Sequence, residues 1–315
     1  MKLVVTIPAY NEQKTITGVI KEIPSSIEGI NSVEVLVIDD GSTDYTAFDA
    51  AKAGADDVVT HIVNKGLGVA FRDGMDSALA RGADIIVNID ADGQYNATQI
   101  PALIKPILDR KADIVLGWRD IDNLDFMPRS KKLGNKLTTW LTRRLSGLPI
   151  KDAQTGFRAF SREATLRMNL GGKYTHVQET LIQASHKGLQ IDQVPVEFRR
   201  RDGKSRLIPS LGTYAIKAGA IIFSTYRDYH PLKFFSSIGG VLLLIGLGFG
   251  LRVVVHFSQT GMVSPYLPSA VLASLLITVG LGTIALGIFV HMLNRQRQIN
   301  EEILYRLKKR NLGNG

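Results

Sequence analysis

The sequence predicts an α/β fold: a Rossmann-like, mostly parallel, doubly wound sheet, followed by interfacial helices and two C-terminal transmembrane helices. Three observations carry this. Short β-branched runs alternate with helically spaced segments through the first 200 residues, the rhythm of repeated β-α-β units. The runs are apolar on both faces, as buried parallel strands require. From Phe234 onward the composition shifts to long stretches free of Lys, Arg, Asp and Glu, with Arg252 the single interruption before residue 294.

Strands are expected at residues 3–7, 33–38, 58–62, 85–89 and 114–117, and helices at 12–23, 44–53, 68–81 and 98–110. Asp44 and Thr98 stand near plausible helix starts. There is no internal repeat and no low-complexity tract. The apolar region divides into spans at about 234–257 and 266–293 around a short polar break, each long enough for the roughly 20 residues that a crossing needs. Residues 208–233 mix Ala, Ile, Phe and Tyr with Lys217, Arg227 and Lys233, a pattern for helices lying in the membrane interface. The expected organisation is a catalytic domain over 1–207, an amphipathic juxtamembrane segment over 208–233, two spans over 234–293 and a basic tail over 294–315. The break has no basic residue, whereas Arg295, Arg297, Arg306, Lys308, Lys309 and Arg310 follow the second span. Positive residues favour the cytosolic side, so both termini and the large domain are expected there.

Composition narrows the classes further. With 45% hydrophobic and 21% charged residues in 315, the chain can build a packed core and is not disordered. The absence of cysteine excludes disulfide frameworks, zinc ribbons, iron–sulfur clusters and thiol nucleophiles. The first residues enter a strand pattern directly, so no secretory leader is expected. Net charge is +9, but the excess brackets the apolar region instead of covering the folded body. That distribution points to a membrane surface or to phosphates, not to nucleic acid.

Chemistry concentrates where the strands end. Pro8-Ala9-Tyr10-Asn11-Glu12, Asp39-Asp40-Gly41-Ser42-Thr43-Asp44 and Asp90-Ala91-Asp92-Gly93-Gln94 follow the first, second and fourth strands. In open α/β sheets ligands bind beyond these carboxyl ends. One acidic pair there could be a turn and helix cap. Three acidic strand ends along one edge repel each other unless a cation or a hydrogen-bonding ligand joins them. Asp-x-Asp offers oxygen ligands to a hard divalent ion and leaves positions open for a diphosphate.

These pieces, in order, resemble the family 2 glycosyltransferases of the polyprenyl-phosphate type, typified by dolichol-phosphate mannose synthase. The resemblance runs over residues 3–207 and includes PAYNE at 8–12, VIDDGSTD at 37–44, Gly66-x-Gly68, DADGQ at 90–94, GWR at 117–119, DAQTGFRAF at 152–160 and RRDGKSRL at 200–207. It implies a GT-A fold, a nucleotide-sugar donor, a polyprenyl or dolichyl phosphate acceptor in the lipid bilayer, and a divalent metal, Mg²⁺ or Mn²⁺. It assigns Pro8, Tyr10, Glu12, Ile38 and Asp40 to the donor's nucleoside. Asp90, Ala91, Asp92 and Gln94 go to the diphosphate, with Asp90, Asp92 and Gln94 as the metal set. Arg119, Arg200 and Arg206 go to the sugar and phosphate end, and with Asp92 they form the expected catalytic group. Arg206 stands where the family usually has lysine, which keeps the charge but exchanges a point donor for a planar fork. The family's DADLQHPPE reads DADGQYNAT here, without its prolines and histidine.

Other signals are weaker. Gly203-Lys204-Ser205 lacks the upstream glycine of a phosphate-binding loop, because position 198 is Phe. Gly66-x-Gly68 lacks a third glycine, since position 71 is Phe. Arg129 and Lys132, with Lys131 and Lys136, form either a solvated helix face or a contact to the lipid phosphate. The expected reaction is inverting transfer of a hexose to the lipid phosphate without a general base, with Asp152 and Glu179 as the residual candidates for one and Asp152 otherwise bracing Arg158. A homo-oligomer is left open. Two alternatives stand beside this reading. A processive polysaccharide synthase would carry Gln-x-x-Arg-Trp, but neither Gln178 nor Gln183 is followed by Arg-Trp. An inactive membrane-tethered scaffold would not need Asp90, Asp92, Gln94 and Arg119 intact.

Overall fold

A computed structural model of the chain describes residues 1–169, 176–200, 227 and 231–312. It divides into two compact units, Met1–Tyr214 with Leu304–Gly315, and Ala215–Ile303.

The first unit holds a seven-stranded sheet in the order β3-β2-β1-β4-β6-β5-β7. Its elements in chain order are β1 (Lys2–Ala9), α1 (Gln13–Glu22), β2 (Ser32–Asp39), α2 (Thr46–Ala53), β3 (Asp57–Thr60), α3 (Leu67–Ala80), β4 (Ile85–Asn88), α4 (Ile100–Leu108), β5 (Ile114–Trp118), α5 (Arg129–Ser146), β6 (Arg158–Ser161), α6 (Arg162–Arg167), α7 (His176–His186) and β7 (Ile191–Pro195). Successive side chains leave a strand on opposite faces, and the core divides accordingly. Leu3, Val5, Ile7, Val35 and Val37 pack with Ile16, Val19, Leu103 and Ile104 beneath α1 and α4. Val4, Leu36, Ile38, Ile86 and Leu116 pack with Phe71, Met75, Leu79 and Phe160 beneath α3.

The five expected strands and four expected helices are all present, with shifted ends. β3 stops at Thr60, because His61 turns toward Asp40. The helix expected from Asp44 starts at Thr46, whose backbone N–H donates to the Asp44 carboxylate at 3.0 Å. The segment expected as one helix over 98–110 opens with a 3-10 turn, Ala97–Gln99, before α4.

The feature that sequence rhythm does not announce is β6. It runs antiparallel to both neighbours, with Asn88 and Leu116 opposite Arg158, whereas β1 pairs with β2 and β4, and β5 with β7, in parallel. Reversal brings the start of β6, and the DAQTGF loop before it, to the edge where the parallel strands end.

The second unit contains α8 (Pro231–Thr260) and most of α9 (Leu267–Leu312). Both are long and apolar enough to cross a bilayer. They meet at small residues: a Cβ added at Gly239 would stand 2.6 Å from the Gly280 carbonyl oxygen, and one at Gly287 would stand 2.8 Å from Phe235 Cβ. Close approach through glycine is how membrane helices associate. At 1.5 Å per residue, α9's 46 residues reach about 69 Å, roughly twice a bilayer's hydrocarbon core. The expected separate tail is therefore a continuation of the second span's helix. Its last residues belong to the first unit: Tyr305 donates to Glu163 at 2.6 Å and Lys308 pairs with Asp76 at 3.0 Å. The expected interfacial segment lies almost wholly outside the described residues, as does Arg206.

Candidate active site

Because β1, β2 and β4 are parallel, their carboxyl ends reach one edge, where Ala9 pairs with Asp39. The chain leaves β1 through Asn11, at φ 54, a left-handed conformation that asparagine tolerates better than most residues. From there it grips the loop after β2. Asn11 N–H donates to Ser42 Oγ at 2.9 Å, Thr43 N–H to Asn11 Oδ1 at 2.8 Å, and Glu12 N–H to Thr46 Oγ1 at 2.9 Å. Gly41 has φ +74, and a Cβ there would meet the Val63 and Asn64 backbone under 3 Å, so this turn admits only glycine.

The residues expected at the nucleoside end separate into exposed and interior groups. Tyr10 is exposed and Glu12 half-buried. Pro8 is buried, and the Ile38 side chain packs fully buried beneath Gly74 of α3. Asp40 is almost fully buried and braces the next loop. Its carboxylate accepts from His61 Nδ1 at 2.7 Å, Lys65 N–H at 2.9 Å and Gly66 N–H at 2.8 Å. His61 Nε2 lies 3.2 Å from Asp73 of α3, so a buried imidazole joins the loop after β3 to α3. Sequence reading passed over His61 because it stands alone; its place directly after a strand is the signal that could have found it.

Beyond β4, Gly93 at φ +72 turns the chain so that Gln94 N–H donates to Asp92 Oδ1 at 3.1 Å. Thr15 of α1 holds the Ala91 carbonyl at 2.7 Å. Arg199 N–H donates to the Gln94 carbonyl at 2.7 Å and Gln94 Nε2 to the Arg199 carbonyl at 3.2 Å. These two bonds set the exposed Arg200 beside the acidic loop, while Arg199 is spent on Glu22 at 2.7 Å. Asp90 rests on Gly156 of the DAQTGF loop: a Cβ there would stand 2.7 Å from one carboxylate oxygen and 2.8 Å from Cγ. Among the described residues no three His, Asp or Glu side chains stand together as a metal set. Asp90, Asp92 and Gln94 Oε1 nonetheless offer the oxygen donors that a hard divalent ion takes, and a diphosphate would supply the remainder.

The third part is a buried charged cluster. Arg119, at the end of β5, donates from Nε to Asp152 Oδ2 at 2.6 Å and from Nη2 to Oδ1 at 3.1 Å. Asp152 also accepts from Arg119 N–H at 3.3 Å, Asn135 Nδ2 at 3.3 Å and Gln154 N–H at 3.0 Å. Their side chains are 10% and 0% exposed. Burial alone would raise the Asp152 carboxyl's pKa, but the Arg119 charge and these hydrogen bonds outweigh it and hold the pKa below the usual range. Burial likewise opposes the Arg119 charge and is overcome by Tyr95 and Asp152, which push its pKa up. Tyr95, completely enclosed, has its hydroxyl pushed up to about 12, first by burial; that hydroxyl accepts from Gly156 N–H at 3.0 Å. Phe198 lies under the Arg119 guanidinium at 4.9 Å.

The expected bracing of Arg158 by Asp152 holds only through charge: Asp152 favours the buried Arg158 cation from a distance, while its hydrogen bonds go to Arg119. Arg158 donates to the carbonyls of Thr155, Val177 and Ala153 and to Thr180 Oγ1, and burial pushes its pKa down to about 10. Asp152 sits closer to Arg119, because β6 reverses and returns the loop toward β5. At the start of α5, Arg129 is exposed; Lys132 Nζ donates to the Asp122 carbonyl at 2.9 Å. Glu179 of α7 is half-buried and accepts from Gln183 Nε2 at 3.2 Å.

The sheet with its loaded strand ends is that of a GT-A fold, and the comparisons agree. The glycosyl transferase family 2 model matches residues 4–167. The UDP-N-acetylglucosamine–dolichyl-phosphate N-acetylglucosaminyltransferase of Methanococcus voltae is 34% identical over 215 residues, covering 61% of this chain and 83% of that one. The dolichyl-phosphate hexose transferase of Haloferax volcanii is 32% identical over 214 residues, covering 68% and 90%. Glucosyl-3-phosphoglycerate synthase of Mycobacterium tuberculosis, solved with Mn²⁺, UDP-glucose and phosphoglyceric acid, superposes with a TM-score of 0.56 at 25% identity, over 71% of this chain and 79% of that one. The chain belongs to glycosyl transferase family 2 and is a glycosyltransferase.

Proposed function

We propose that the protein transfers a hexose from a nucleoside-diphosphate sugar to a polyprenyl phosphate at the cytosolic membrane face, with inversion at the anomeric carbon. The observation that carries this reading is the character of the acceptor side. A hydroxyl acceptor must lose its proton, which calls for an available carboxylate. Asp152 is instead saturated by five hydrogen bonds and locked to Arg119. A phosphate acceptor is already ionised and needs cations, not a base. The curated relatives named above act, by their names, on dolichyl phosphate, and two helices of bilayer length in the same chain suit an acceptor that cannot leave the membrane.

In this reaction a phosphate oxygen of the lipid attacks the sugar's anomeric carbon, the bond from that carbon to the diphosphate breaks, and the nucleoside diphosphate leaves. Tyr10 and Glu12 border the donor's nucleoside. Asp90, Asp92 and Gln94 would hold Mg²⁺ or Mn²⁺, which supplies positive charge to the leaving diphosphate. Arg119, fixed by Asp152, and Arg200, set beside Gln94, orient the reacting phosphates by charge-assisted contacts; Arg129 adds to the same cationic side, and Arg206 is given this role by the family resemblance alone. The test is transfer by the purified full chain in nanodiscs, across a panel of nucleotide sugars with Mg²⁺ or Mn²⁺ and a polyprenyl phosphate. An acid-labile glycosyl-phosphate lipid formed from one donor is expected. Transfer to a sugar hydroxyl, or turnover independent of the lipid phosphate, would overturn the reading.

A further inference from the structure

Helix α5 is built inside out. Its buried face is polar, made of Asn135, Thr138, Thr139, Thr142 and Ser146. These groups need no water. Thr138 Oγ1 donates to the Gly134 carbonyl at 2.9 Å, Thr142 Oγ1 to that of Thr138 at 2.9 Å, and Ser146 Oγ to that of Thr142 at 2.6 Å. The opposite face carries Leu133, Leu137 and Trp140, which are 65%, 45% and 59% exposed. Spacing i, i+4, i+7 puts them in one stripe, the stripe that an ordinary surface helix turns toward its core. Arg129, Lys136 and Arg143 recur every seven residues along its border, all exposed, and Arg144 is exposed as well. The 18 residues of α5 include six Lys or Arg and no acidic residue.

From this we infer that the outer face of α5 is a docking surface for an anionic lipid bilayer. Leucine and tryptophan side chains at such a face belong at headgroup depth, where an indole keeps its ring in the acyl boundary and its N–H in water. The basic border matches the negative potential of anionic headgroups. The bilayer is the occupant favoured over a protein partner because the same chain carries two helices of spanning length, and because the border is of one sign. The inner face of α5 supplies Asn135 to Asp152, which in turn fixes Arg119, so one helix connects the lipid surface to the charged cluster. This inference rests on the membrane location in the proposed function, but not on the reaction.

The chain has two tryptophans, Trp118 and Trp140, so subtracting the emission of a Trp140→Phe variant isolates Trp140. The full chain is placed in phosphatidylcholine nanodiscs, with and without phosphatidylglycerol, using lipids brominated near the headgroup. Trp140 emission should be lost to quenching, and more completely with phosphatidylglycerol present. Unquenched Trp140 overturns the proposal, whether the face is bare or covered by a second copy in cross-linking. A Leu133→Asp, Leu137→Asp double variant should lose turnover on a long-chain acceptor in the bilayer and keep it on a short-chain, detergent-dispersed polyprenyl phosphate; equal turnover on both would also count against it. A wild-type protein that uses neither acceptor would sink the proposed reaction, while quenching would still decide the docking surface.

Discussion

Replacing Asp152 by Asn separates two roles that a carboxylate near a glycosyl acceptor could have. The change is isosteric but removes the charge facing Arg119, whose side chain is 10% exposed. Breaking a buried pair by removing one partner costs about 3–5 kcal/mol; since Asn keeps one carbonyl acceptor, the lower end, about 3 kcal/mol, is expected. For a domain of this size each kcal/mol shifts the melting temperature by roughly 2–4 °C, so a fall of about 6–12 °C follows. Both tryptophans lie in the first unit, so intrinsic fluorescence during a thermal ramp reports the catalytic domain and not the spans. Turnover should fall together with a raised acceptor KM, because Arg119 loses its fixed direction. A double variant, Arg119→Met with Asp152→Leu, should regain most of the stability and none of the activity. A normal melting temperature with turnover abolished and both KM values unchanged would mean that Asp152 acts as a base, and the reasoning would fail. The same pair sets the acid limb. The Asp152 pKa is depressed in the fold, so its contribution is present above the unfolded carboxyl's pKa of about 4 and is lost as pH falls through the lower folded value.

Asp92→Ala and Gln94→Ala should each weaken metal-dependent donor binding by at least about tenfold, read by calorimetry with Mg²⁺ or Mn²⁺, while the protein stays folded. Gly156→Ala should displace Asp90, because its Cβ would stand under 3 Å from both carboxylate oxygens; a stability cost of about 1–3 kcal/mol and loss of donor binding are expected, and unchanged binding would refute the contact's importance. Tyr95's hydroxyl is pushed up to about 12, so its contribution is complete below about pH 10 and disappears as pH rises through the folded value; this alkaline loss, about 3 kcal/mol, should be absent from Tyr95→Phe.

Much of this was legible because strand ends are local. β1, β2 and β4 are apolar runs followed at once by PAYNE, DDGSTD and DADGQ, and parallel pairing then brings those ends to one edge without further information. What stayed hidden depends on direction and distance. β6 reads as four unremarkable residues, and nothing local says that it runs backward, yet that reversal brings Asp152 into hydrogen-bonding contact with Arg119. The resemblance assigned Asp40 to the nucleoside, but the loop packed on it could not be read, because His61 and the Lys65 and Gly66 amides lie more than 20 residues downstream. Of α5 only the basic cluster at its start was read, as a helix face or a lipid-phosphate contact; that Leu133, Leu137 and Trp140 face outward depends on packing, which spacing alone does not show.

The end of α9 makes the membrane topology testable without reference to which side is which. Tyr305 and Lys308 reach Glu163 and Asp76 of the domain that precedes both spans. Two groups in direct contact share one aqueous compartment, so the chain between them must cross the bilayer an even number of times. Two helices of spanning length satisfy this and one or three do not. Surface ion pairs of this kind contribute little each, so stability is the wrong observable and proximity the right one. The chain has no cysteine, which makes a pair of introduced thiols specific. Asp76→Cys with Lys308→Cys should be joined by a short bis-maleimide in native membranes, and the link should hold the two ends together after proteolysis between the units. Because basic residues that follow a span favour the cytosolic side, the proposed orientation predicts that a reporter fused after Gly315 reads cytosolic. A cross-linked pair with an extracellular reporter would invert the orientation and keep the even count; an absent cross-link with the catalytic domain intact would break the two-span topology itself.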